Sequence, residues 1–137
     1  MKKIQMEPCH EALYTRLIAF ERKLQRKATS LEGKCLSTDN HEHWKARGGL
    51  QTLREVTRYL REMRHRSYAE MYDYLNCLET SVEDAKWDVA RLPRPRRGMP
   101  IARWKAEGEY ECLSKVCPEL ADILNEYAPM DEALLAG

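Results

Sequence analysis

Apolar residues recur along this chain at helical spacing, and no stretch shows a sustained strand alternation bounded by hairpin turns. The clearest run is Tyr68, Met71, Leu75, Leu78, Val82, Ala85, Val89 and Leu92, with intervals alternating between three and four residues without a break. Side chains at those intervals share one face of an α-helix. The run therefore predicts a long helix over 67–92, about 37 Å at 1.5 Å per residue. Ser67 followed by Glu70 has the form of a capping box and marks its start. Pro93 and Pro95 stop it, because proline lacks an amide hydrogen and clashes with the preceding turn.

Two further helices precede it. Leu13, Leu17, Phe20, Leu24 and Leu31, with Ala28 between, predict a helix over 8–32 entered at Pro8 and ending near Gly33. Leu50, Leu53, Val56, Leu60 and Met63 fall in one sector of about 140° and predict a helix over 50–65. Between these, 33–49 reads as the longest irregular segment. Ser37-Thr38-Asp39-Asn40 is a turn cluster, Trp44 pins the loop to the body, and Gly48-Gly49 supplies backbone freedom. The short connection before Ser67 predicts an antiparallel hairpin of the second and third helices.

Residues 93–100 form a linker rich in proline and arginine. Residues 101–128 read as a pair of acidic C-terminal helices, the second entered at Pro118 and faced by Leu120, Ile123, Leu124 and Tyr127. The expected fold is all-α: a compact bundle of four to five helices around one long central helix, in a single domain over 1–137. The long ladder also has the spacing of a coiled-coil seam, which makes a homodimer the alternative. Tyr72 and Tyr74 widen its face beyond a narrow seam, so sharing within one chain is the expectation.

Charge changes this picture more than composition does. The formal net charge is only +1, yet residues 1–106 carry 22 basic and 14 acidic side chains, whereas 107–137 carry one basic and eight acidic. An acidic tail of that kind is suited to pack on the basic body. Arg47, Arg54, Arg58 and Arg61, with His65, fall in a sector of the second helix about 60° wide. Arg94, Arg96 and Arg97 add a basic linker. Such groups suit phosphates or the carboxylates of a protein partner. No apolar run approaches bilayer length and no signal peptide follows the basic start, so a cytoplasmic location without membrane contact is the expectation.

Candidate chemistry is sparse. Five cysteines, with no C-x-x-C spacing, read as reduced thiols. His41 and His43 with Cys35 lack a fourth ligand, so no metal and no cofactor is expected. There is no Gly-rich phosphate loop, H-E-x-x-H or G-x-S-x-G, and no catalytic residue is assigned. Trp87 stands apart, falling on the side of the third helix opposite the ladder. Either Trp104 and the last helix cover it, or it anchors an interface.

The expectation is a noncatalytic protein–protein interaction module, an inhibitor or adaptor of a larger protein or complex, using Trp87, Arg54, Arg58 and Arg61. One alternative is a nucleic-acid-binding regulator using Arg47, Arg54, Arg58, Arg61, Arg94, Arg96 and Arg97. Another is a small enzyme with a convergent Cys/His site. Accessory proteins of phage and mobile elements often have so plain a helical build, which is an analogy of fold alone.

Overall fold

The computed structural model describes residues 8–63, 66–92 and 98–127, with side chains from Glu11 onward. Four helices follow in order: α1 (Pro8–Lys34), α2 (Asn40–Met63), α3 (Tyr68–Arg91) and α4 (Ile101–Glu126). No strand occurs among the described residues. The expected helical bundle is therefore present, with four helices among the described residues.

α3 keeps the bounds its ladder implies. Ser67 is extended and its side chain accepts a hydrogen bond from the Glu70 amide at 3.2 Å. At the other end the Leu92 amide donates to the Asp88 carbonyl and α3 stops. Met71, Leu75, Leu78 and Ala85 are buried.

The expected irregular segment 33–49 is mostly helix instead. α1 continues through Gly33, five residues intervene, and α2 begins at Asn40. Asp39 drives this early start: its Oδ1 accepts from the Glu42 amide at 2.9 Å, while its own amide donates to Ser37 Oγ. Thus the polar cluster is a helix cap. Gly48 and Gly49 lie buried inside α2, where α4 crosses it. A Cβ on Gly48 would fall 2.1 Å from the Lys105 carbonyl oxygen, and one on Gly108 1.9 Å from that of Lys45. Close backbone approach, not freedom, explains these glycines. Trp44, expected to pin a loop, is a residue of α2 with Arg47 lying over its ring.

The expected pair of C-terminal helices is also one element. Pro118 sits within α4, although it removes a rung of the hydrogen-bond ladder. Val116, Cys117, Leu120, Ile123 and Leu124 are buried on either side of it. Tertiary packing therefore carries the helix across the missing bond, at a site where Pro118 itself is exposed.

α2 and α4 run parallel, with His41 opposite Glu107 and Lys45 opposite Glu111. α1 runs antiparallel to α2, pairing Glu32 with Arg54 and Glu21 with Arg61. α3 runs antiparallel to α4, and the Tyr68 hydroxyl donates to the Leu124 carbonyl at 2.6 Å. α1 lies chiefly on α2, and α3 on α4. The long third helix is present, but α4 is the helix whose backbone packs against α1, α2 and α3 alike. All four helices feed one core, which includes Leu17, Leu24, Val56, Leu75 and Leu124. The α3 ladder is thus shared within the chain.

The acidic tail packs on the basic body. Lys23 meets Glu119 at 2.9 Å, Lys45 meets Glu111 at 2.7 Å and Arg16 meets Glu126 at 3.8 Å. Exposed pairs such as these contribute at most about 1 kcal/mol each and chiefly set orientation. Among the described residues, no helix is long and apolar enough to cross a membrane.

Candidate protein-docking surface

The α2 arginines diverge in their surroundings. Arg54 is 3.0 Å from Glu32, and Arg61 is 2.9 Å from the buried carboxylate of Glu21. Arg47 lies over the Trp44 ring at 5.6 Å from its centroid, and Arg58 over Tyr59 at 5.4 Å. The stripe predicted from helical spacing is real, but half of it is held by α1 carboxylates. Arg94, Arg96, Arg97 and His65 lie outside the described residues.

Trp87 is 67% exposed. Trp104, expected as its cover, instead packs against the His41 ring at the start of α2, with centroids 5.0 Å apart. Helical geometry explains the exposure. Trp87 lies about 160° from Met71 around α3, so burying the ladder turns the indole outward.

A groove that the sequence does not announce opens beside this face. α2 and α3 are joined by a short connection, yet their backbones do not pack along their length. Between them lies a cleft of about 520 Å³, floored by Leu113 and Glu109 of α4. Val56 and Leu78 line its apolar part, and the Tyr59 and Tyr74 rings stack across it at 5.3 Å. Glu55 and Asp73 edge it, Glu109 lies on its floor, and none of the three has an ion-pair partner among the described residues. Among the described residues, no lysine, arginine or histidine lines the cleft.

The electrostatics agree with that inventory. Burial, reinforced by Asp88, Glu55 and Asp84, pushes the Glu109 carboxyl above its ordinary range. Burial, with Tyr59 close by, likewise keeps the Tyr74 phenol protonated well beyond its usual range. In the sequence, Glu55 lies on the second helix and Tyr74 widens the face of the third, with nothing to connect the two. Only the splayed backbones join them.

Among the described residues, reactive side chains do not gather in a comparable cleft. Burial pushes the Cys112 thiol up to about 12 and the Cys117 thiol up to about 11, away from the thiolate that a nucleophile requires. His43 Nδ1 hydrogen-bonds the Cys35 carbonyl oxygen and His41 Nε2 the Glu107 carboxylate. Among the described residues, no three His, Cys, Asp or Glu side chains converge to hold a metal. No family model, curated protein or solved structure matches the chain.

Proposed function

We propose that this chain is a noncatalytic protein–protein interaction module, an adaptor or inhibitor that docks on a larger protein through the outer face of α3 and the groove beside it. The observation that carries this reading is the exposure of Trp87, 67% open on a helix whose opposite face is core. Scattered exposed aliphatic residues are ordinary. A tryptophan held outward on a helix packed in the core offers a large, low-entropy anchor, the residue type that dominates interface energetics. Free thiols suit a reducing compartment, and we place the action in the cytoplasm.

The test is Trp87→Ala. The reading expects an unchanged melting temperature and the loss of a partner captured from the native host by the unaltered chain. A fall of several degrees in melting temperature, with capture intact, would make Trp87 a structural residue.

A second reading, a nucleic-acid-binding regulator, has one observation in its favour. Arg47 and Arg58 rest on aromatic rings rather than carboxylates, and with Lys105 they line a shallow cleft of about 600 Å³. The capture of Arg54 and Arg61 by α1 weakens it. Anisotropy titration with a labelled duplex at two salt concentrations separates the readings. Phosphate-driven binding falls steeply with salt, and no binding at low salt removes this reading.

A further inference from the structure

The groove between α2 and α3 combines three features that point to one kind of occupant. Its shape comes from two antiparallel walls and a helical floor. The lining stretch of α3 from Glu70 to Ser81 spans about 17 Å, or three helical turns. Its base is apolar, made by Val56, Leu78 and Leu113 with the stacked tyrosines. Its walls carry Glu55 and Asp73 and its floor Glu109, none of them in an ion pair among the described residues, although Glu55 also borders the cleft lined by Arg54 and Arg58 and Glu70, at one end of the lining, meets Arg66.

We propose that the groove receives a basic amphipathic helix of a partner protein, with apolar residues at i, i+3 or i+4 and i+7 seated on the floor and lysines or arginines facing Glu55, Asp73 and Glu109. This rests on reading the chain as an interaction module, and it names the chemistry of the partner. Helix-in-groove docking needs both a hydrophobic seat and a flanking charge pattern. Charge complementarity sets the sign: like charges around Glu109 repel one another until a cation enters. A nucleic acid would be repelled here. A folded second copy cannot supply the helix from its own α1, which is basic on the outside, because Leu13, Leu17, Phe20 and Leu24 are already buried in the core.

The probe is a fluorescent model peptide of about 18 residues, five helical turns, with leucines at the stated spacing and lysines elsewhere. It is titrated against the whole protein, beside a control peptide with glutamates in place of lysines. The variants are Glu55→Lys with Asp73→Lys, both at exposed positions, and Glu83→Lys on the outer face as a control, each checked by thermal melting. We expect micromolar binding of the lysine peptide. It should weaken at least about tenfold in the double variant, stay unchanged in E83K, and be absent for the glutamate peptide. No binding of the lysine peptide, or equal binding to the wild type and the double variant, overturns the proposal. So does a dimer, seen by light scattering, that the double variant dissociates, because a second copy would then hold the groove. These results leave the interaction reading to be judged by capture with the Trp87→Ala variant, which does not depend on groove charge.

Discussion

At Gly48 and Gly108 the α2 and α4 backbones lie closer than any Cβ permits, and the obstructing atoms are carbonyl oxygens, which have no rotamer by which to escape. Gly108→Ala should therefore cost about 3 kcal/mol, the upper range for overpacking. Gly33→Ala is the matched control. Gly33 is exposed within α1 and nothing lies within 4 Å of an added Cβ, so alanine there should stabilise by about 0.5–1 kcal/mol. Chemical denaturation of both variants checks the pair; a neutral Gly108→Ala would contradict the crossing. Glu109 makes a prediction in pH. Its carboxyl is raised in the folded state, mainly by burial. Folding therefore loses stability as pH rises from the unfolded value near 4.5 through the folded one, and the full penalty remains above that window. Glu109→Gln, which mimics the protonated form, should melt higher than the wild type at pH 7, and the difference should vanish below about pH 4.5. A constant difference across that range would remove the electrostatic account.

The helices differ in how legible they are. α3 was readable almost to the residue because three signals coincide: a regular ladder, Ser67 with Glu70 before it, and prolines after it. α2 was misread at its start because Gly48-Gly49 lowers helix propensity locally, and the contact that overrides this lies in α4, far along the chain. The cap itself was visible as Asp39 followed by Glu42, three residues apart. Asp39→Ala should cost about 1 kcal/mol, read as a lower denaturation midpoint; no change would mean that Ser37 or water serves α2 equally well. Pro118 misled in the opposite direction. Proline is a strong local stop, and only the burial on both sides of it shows that α4 passes through. Trp87 was placed correctly from helical spacing alone, since the outward face of an amphipathic helix follows from its inward one.

For the whole molecule, sequence periodicity says which faces are apolar but not which helices separate. The groove depends on that separation. Glu55, Tyr59, Asp73, Tyr74 and Glu109 come from three helices and line one cleft only because α2 and α3 splay above α4. The parallel α2–α4 pair is locked by glycine, with α1 on one side and α3 on the other. α3, like α1, is therefore attached mainly through a single neighbour, but α3 alone also walls the groove and so borders open space on its second flank. That asymmetry has a consequence in time. α3 should detach transiently by an opening cheaper than global unfolding, ahead of the central α2–α4 pair. Native-state hydrogen exchange should show its amides exchanging before those in the middle of α2 and α4; uniform protection across the bundle would contradict this. A helix settling into the groove would give α3 the second neighbour it lacks. Occupancy would then register as slower exchange along the whole of α3, even if no atom of the backbone moved.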